Sequence, residues 1–292
     1  MQPKLEVILS PYTGYCFGVK RAMRLIDQGV DEQPDARIYT LGEIIHNPQA
    51  VGRLRERGVE PVSSLDDIEE GSFLIIRAHG VHPDLIEEAE RRGIRLLDAT
   101  CPFVQKSQRY VRKLAGESYR VIIIGDEDHP EVKSIAGHAG GNAIIVNSVE
   151  DAAQVPILDK AGVVIQTTFS KENARSIIEI LEKRVERLRV YDTICQATIL
   201  RREATLELAG KVDLMLVVGG RTSSNTKRLY RMCIDHGVPS RFVETAEEID
   251  PSWFRGVQRV GLTTGTSTPD WVIEQVLERM EQISLAAEKN EG

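Results

Sequence analysis

Three cysteines are the residues of this chain whose type and spacing most clearly point to chemistry. Cys16, Cys101 and Cys195 each follow a short apolar run: Val7-Ile8-Leu9, Leu96-Leu97, and Leu188 to Ile194. Each also precedes a helix-like pattern, and Pro102 suits the first turn of the helix after Cys101. The three are spaced by 85 and 94 residues, each the length of one small lobe. Cys233 lies mid-helix, outside this register, and reads as a small buried hydrophobe. No pair forms C-x-x-C, so zinc-finger, thioredoxin and bacterial ferredoxin spacings are absent. Four cysteines in 292 residues do not make a disulfide scaffold.

Two polar turns follow each cysteine at recurring distances. The first turn lies 30, 28 and 30 residues on, at His46, His129 and Asn225. The second lies 63, 66 and 72 residues on, at His79, Thr167 and Ser267. Three thiolates with no fourth soft ligand describe a [4Fe-4S] cluster with one open iron, able to act as a Lewis acid on a substrate oxygen. Ser, Thr, Asn and His at helix N-termini around it have the make-up of a phosphate site, with dipoles and hydroxyls carrying the anion.

Strands alternate with helices along the whole length, which predicts an α/β fold with mainly parallel sheets and ligand sites beyond the strands' C-terminal ends. The recurrence predicts three similar lobes in a pseudo-threefold trefoil around a central iron–sulfur cluster: 1–100 with Cys16, 101–194 with Cys101, and 195–292 with Cys195. A long amphipathic helix is expected over 171–187, with Ile177, Ile180, Leu181 and Val185 on one stripe. The tail 288–292 reads as frayed.

The sequence is 41% hydrophobic and carries a net charge of −7, enough apolar residues for a large core and the wrong sign for a nucleic-acid partner. No apolar run reaches the length of a membrane span and no signal-peptide core is present, so the expectation is a cytoplasmic protein. No nucleotide- or flavin-binding fingerprint appears.

In order along the chain stand Gly14-Tyr15-Cys16-Phe17-Gly18, His46-Asn47-Pro48, Ala78-His79-Gly80, Asp98-Ala99-Thr100-Cys101-Pro102, His129-Pro130-Glu131, Gln166-Thr167-Thr168, Ile194-Cys195 with Ala197-Thr198, Ser223-Ser224-Asn225, and Ser267-Thr268-Pro269. With these motifs the chain resembles the 4-hydroxy-3-methylbut-2-enyl diphosphate reductase (IspH/LytB) family. That resemblance implies a cluster held by Cys16, Cys101 and Cys195. It implies reductive dehydroxylation of an allylic diphosphate to isopentenyl and dimethylallyl diphosphate, the last step of the non-mevalonate isoprenoid route, with ferredoxin or flavodoxin as electron donor. It assigns Glu131 as proton source, with Thr168 and His129 in its relay. His46, His79, His129, Thr168, Ser223, Ser224, Asn225 and Ser267 would bind the substrate. Two departures touch the pocket's fine shape: Arg202 stands where the family has Gln, and Asp128 where it has Gly.

Plainer readings compete. Ser223 to Asn225 could be a helix cap alone, and Glu131 in a first helical turn is favoured by the dipole without catalysis. His82, His138 and His236 fall outside the repeat. An iron–sulfur redox sensor would need neither Glu131 nor two Ser/Thr-rich turns. A zinc-stabilised binding protein would hold one zinc instead of about four irons.

Overall fold

The computed structural model describes residues 5–33 and 36–290, with side chains to 286. The first elements are β1 (Glu6–Leu9), α1 (Phe17–Glu32), β2 (Ile38–Leu41), α2 (Pro48–Glu56), β3 (Val59–Val62), β4 (Phe73–Ile76), α3 (Pro83–Arg91) and β5 (Arg95–Asp98). Then follow α4 (Pro102–Gly116), β6 (Arg120–Ile124), α5 (Pro130–Gly137), β7 (Ala143–Val146), α6 (Val149–Gln154), β8 (Leu158–Ile165), α7 (Lys171–Leu181) and β9 (Val185–Tyr191). The chain ends with α8 (Gln196–Ala209), β10 (Leu214–Val218), α9 (Ser224–Asp235), β11 (Ser240–Val243), β12 (Arg259–Thr264) and α10 (Asp270–Asn290). Among the described residues no helix is long and apolar enough to cross a membrane.

The expected α/β class holds: the strands form three all-parallel, four-stranded sheets. Their orders are β3-β2-β4-β5, β7-β6-β8-β9 and β1-β12-β10-β11. Central strands such as Val121 to Ile124 and Leu214 to Val218 are buried on both faces, which is why they read as unbroken apolar runs. In β6 the side chains alternate between two cores. Ile122 and Ile124 pack with Ile177 and Leu181, while Val121 and Ile123 pack with Val111 and Leu114. Cys233 packs with Met215, Val217 and Leu229, as its apolar reading requires.

By contact the chain divides into two units. One comprises Met1–Val19, Ile45–Arg53 and Gln196–Gly292, and holds the β1-β12-β10-β11 sheet; the other comprises Lys20–Ile44 and Leu54–Cys195, and holds the other two sheets. This corrects the expected lobe boundaries. β1 pairs with β12 and not with β2, so the N-terminal strand and Cys16 belong with the third sheet. Each cysteine follows an edge strand of its sheet instead of opening a lobe: Cys101 follows β5, Cys195 follows β9, and Cys16 follows β1. Spacing between equivalent residues gives the period of a repeat but not its phase.

Two smaller expectations also change, and one edge strand goes unread in the sequence. The stripe on 171–187 ends at Leu181; Lys183 and Arg184 turn the chain, and Val185, four residues beyond Leu181, opens β9. The edge strand β3 was hidden by Pro61, whose missing N–H is harmless at an open sheet edge. Residues 288–290 continue α10, and the rest of the expected tail lies outside the described residues.

Candidate active site

The same local construction recurs in each sheet at the strand C-termini. The strand beside each cysteine-bearing edge strand ends in a turn whose carbonyl accepts the cysteine's N–H. Ala78 accepts from Cys101 at 3.0 Å, Thr167 from Cys195 at 2.8 Å, and Thr266 from Cys16 at 3.0 Å. The residues after those three acceptors are His79, Thr168 and Ser267. The next strand over ends in a glycine bonded to the far edge strand: Gly42 to Val62, Gly125 to Val146, and Gly219 to Val243. His46, His129 and Ser223 each stand four residues beyond that glycine. Backbone pairing therefore sets the equivalence, and it selects Thr168 and Ser223 where counting from the cysteines selected Thr167 and Asn225.

In the two-sheet unit these residues form one connected array. His129 caps α5, its Nδ1 accepting from the Glu131 N–H at 3.1 Å. That acceptor role puts the neutral ring's proton on Nε2. His79 meets His129 edge-on with ring centroids 5.4 Å apart. Glu131 is 2% exposed, and both its oxygens are held by Thr167: the backbone N–H donates to Oε1 and the hydroxyl to Oε2, each at 2.7 Å. Burial raises the Glu131 pKa above the usual carboxyl value, while the two Thr167 bonds pull it down. Thr167, picked out by spacing from Cys101 but given no role by the resemblance, thus ties the carboxyl to the backbone of Cys195. Thr168 accepts from Gln166 Nε2 at 3.3 Å. The turn carrying His79 is seated by Gly80 (φ +72°), whose missing Cβ would stand 2.4 Å from Ser134 Oγ and 2.7 Å from Gln108 Nε2.

The other unit gathers Cys16, His46, Ser223 to Asn225 and Ser267. Ser267 Oγ donates to the His46 carbonyl at 3.2 Å. Gly220 lies against the same carbonyl, close enough that a Cβ would stand 2.2 Å from it. Ser223 does cap α9, accepting from the Thr226 N–H. The cap does not exhaust the turn, however, because the amide nitrogen of the buried Asn225 has no acceptor among the described residues. The Asn47 amide nitrogen is in the same state, although its Oδ1 caps α2 by accepting from Ala50. Buried N–H groups with no acceptor at a helix start suit an anionic ligand.

Arg201 is a site residue that the sequence reading missed. It is 3% exposed and donates to the carbonyls of Thr264 (2.8 Å), Gly265 (3.1 Å) and Gly14 (2.8 Å), binding the two loops around Cys16. Burial lowers its pKa to about 10, with Cys16 acting the other way, so it remains charged at neutral pH. Its signal in the sequence is an arginine six residues after Cys195, within a helical pattern and next to Arg202. Arg202 itself meets Met232 Sδ at 3.3 Å. Asp128 is exposed beside Lys133.

None of the four cysteines is in a disulfide, and Cys16, Cys101 and Cys195 are all half-buried. Thiols of this kind can each ligate a metal as thiolates. Cys233 is fully buried and its thiol is pushed up to about 12, which disqualifies it as a thiolate.

A family model described as "LytB protein" matches residues 7–281. The chain belongs to the LytB family. A 4-hydroxy-3-methylbut-2-enyl diphosphate reductase of Citrifermentans bemidjiense is 44% identical over 279 residues, covering 96% of this chain and 98% of the relative. The Aquifex aeolicus protein of the same name is 41% identical over 282 residues, with 96% and 97% covered. Among solved structures, one of (E)-4-hydroxy-3-methyl-but-2-enyl diphosphate reductase, described as the terminal enzyme of the non-mevalonate pathway, aligns with a TM-score of 0.72 at 40% identity, covering 95% of this chain and 99% of that one. The Plasmodium falciparum E-1-hydroxy-2-methyl-but-2-enyl-4-diphosphate reductase aligns with a TM-score of 0.88 at 30% identity, covering 94% and 88%. This LytB chain is accordingly an oxidoreductase with the family's α/β architecture.

Proposed function

We propose that this chain reduces (E)-4-hydroxy-3-methylbut-2-enyl diphosphate to isopentenyl and dimethylallyl diphosphate in the cytoplasm, with Cys16, Cys101 and Cys195 holding a [4Fe-4S] cluster that has one open iron. One substrate, two electrons and two protons give one diphosphate product and one water. When bound, the cluster supplies the electrons and a Lewis acid for the substrate's hydroxyl oxygen. The residues of the chain do the rest. Glu131 holds one of the two protons on its carboxyl and delivers it to the substrate. Burial away from water favours that protonated form, and Thr167 fixes the carboxyl's direction. Thr168 and His129 complete its relay. His46, His79, His129, Ser223, Ser224, Asn225 and Ser267 bind the diphosphate, with Asn225 offering the amide N–H groups that have no acceptor among the described residues. Electrons come from a protein carrier such as ferredoxin or flavodoxin.

The observation carrying this reading is the buried Glu131, hydrogen-bonded to the residue whose carbonyl holds the Cys195 backbone. A redox sensor has no need of such an acid. The test is anaerobic purification with iron and sulfide analysis, followed by assay with dithionite and the hydroxymethylbutenyl diphosphate. About four irons with matching sulfide, and turnover that Glu131→Gln abolishes while keeping the iron, are expected. A protein holding one zinc, or a Glu131→Gln variant of normal rate, sinks the proposal.

A further inference from the structure

The full chain carries 44 acidic and 37 basic residues, yet α4, the helix that starts directly after Cys101, holds Lys106, Arg109, Arg112 and Lys113 and no acid. With those four set aside, the rest of the chain sums to −11. At helical period Lys106, Arg109 and Lys113 lie opposite the buried Val104, Val111 and Leu114, with Arg112 on the flank. Elsewhere arginines find carboxylates: Arg57 pairs with Asp27 and Asp31, and Arg92 with Asp66 and Glu88. Among the described residues none of the four α4 cations makes an ion pair. Arg112 reaches only His138 Nδ1, at 3.2 Å, and the Lys106 ammonium lies 5.7 Å from the Tyr110 ring centroid. The hollow beside Arg109 and Arg112, about 240 Å³, has Asp98 as its one acid, and Asp98 is engaged by the Thr100 N–H and Gln105. At 1.5 Å per residue the stripe begins about 8 Å and ends about 18 Å from Cys101 along the helix axis. Phe103, 37% exposed in the first turn, adds an apolar contact at the cysteine end.

We infer that this outward face of α4 is the docking surface for an acidic single-electron carrier protein that feeds the metal group held at Cys101. The inference rests on the function proposed above, in which each turnover consumes two electrons from outside. A carrier that gives one electron per encounter passes it to the cluster and leaves oxidised, so two encounters serve one substrate. Fast, short-lived encounters are what complementary charge supplies, since steering raises the association rate more than the residence time. The net negative charge of the rest of the chain disfavours an acidic partner on average. That contrast favours productive collisions on the face that leads to Cys101.

The test compares two electron sources for the anaerobic holoenzyme: reduced flavodoxin and dithionite. In K106E/R109E the KM for flavodoxin is expected to rise about tenfold or more, with its dependence on salt much weakened. The dithionite-driven rate and the KM for the allylic diphosphate are expected to stay as in the wild type. An unchanged flavodoxin KM, or an equal loss with both donors, overturns the inference. Titrating flavodoxin into wild-type and variant holoenzyme by calorimetry, without substrate, reads docking separately. Binding lost in the variant supports the surface even if the wild type fails to turn over the diphosphate, the result that removes the proposed function alone; binding equal in both overturns the surface.

Discussion

Replacing Gly220 by alanine tests whether backbone contact holds the His46 turn in place. A Cβ at 220 would stand 2.2 Å from the His46 carbonyl oxygen, 3.1 Å from its carbon and 3.3 Å from Asn47 Cα. Ordinary contact begins near 3.4 Å, so one of the two segments must retreat by about 1.2 Å. The obstacle is main chain and cannot rotate away as a side-chain tip would. That oxygen also accepts from Ser267, so the retreat disturbs two proposed diphosphate ligands together. Overpacking of this kind costs about 1–3 kcal/mol, and a displacement near 1 Å in a binding site costs on the order of tenfold to a hundredfold. Gly220→Ala is therefore expected to lower Tm by several degrees and raise the substrate KM at least tenfold, measured by calorimetry and by the dithionite assay. Gly52→Ala is the control of opposite sign. Gly52 lies within α2 with nothing within 4 Å of its missing Cβ, so alanine there should stabilise by about 0.5–1 kcal/mol and leave KM alone. Equal effects from the two substitutions, or a silent Gly220→Ala, would refute the argument.

Further outcomes follow from individual contacts. Thr167→Val removes the hydroxyl that favours the Glu131 carboxylate, so the carboxyl should hold its proton to higher pH. The alkaline limb of the rate profile then moves upward in Thr167→Val and stays put in Thr167→Ser; a downward move would contradict the acid role. Arg201→Met removes the buried guanidinium donor from the carbonyls of Gly14, Thr264 and Gly265 and should cost about 3–5 kcal/mol, with iron lost on purification; full iron occupancy would count against its hold on the Cys16 loops. Cys233→Ala should keep iron, sulfide and rate and lose roughly 1–2 kcal/mol on denaturant titration, whereas Cys101→Ser should lose the cluster.

The fold was legible wherever one element's own pattern decided it. Unbroken apolar strands such as β6 and β10, and helices opened by proline after Asn47, Cys101 and His129, lie where their residues put them. Two things were not legible. In sequence the stripe on α7 runs on to Val185, because a residue four past Leu181 fits a helix as well as the start of a strand. Only pairing of Val185 with Leu158 chooses between them. β1 likewise reads as the start of a lobe until its pairing with β12, more than 250 residues away, is known.

The candidate site divides along the same line. Cysteines and histidines announce themselves by type, and the period of their spacing reports a repeated architecture. The roles of partners that act through another residue do not: spacing marks Thr167 without its role and does not mark Arg201, and both become specific only through hydrogen bonds 36 and 187 residues long. The three cysteine N–H bonds explain how the repeat survives divergence in its turns. Each fixes the backbone of a cysteine to the carbonyl that precedes His79, Thr168 or Ser267, so position is set by main chain and the side chain is left to vary. An imidazole, a threonine hydroxyl and a serine hydroxyl can then occupy equivalent places in three sheets, and the chemistry can differ from one to the next without moving the sulfur beside it.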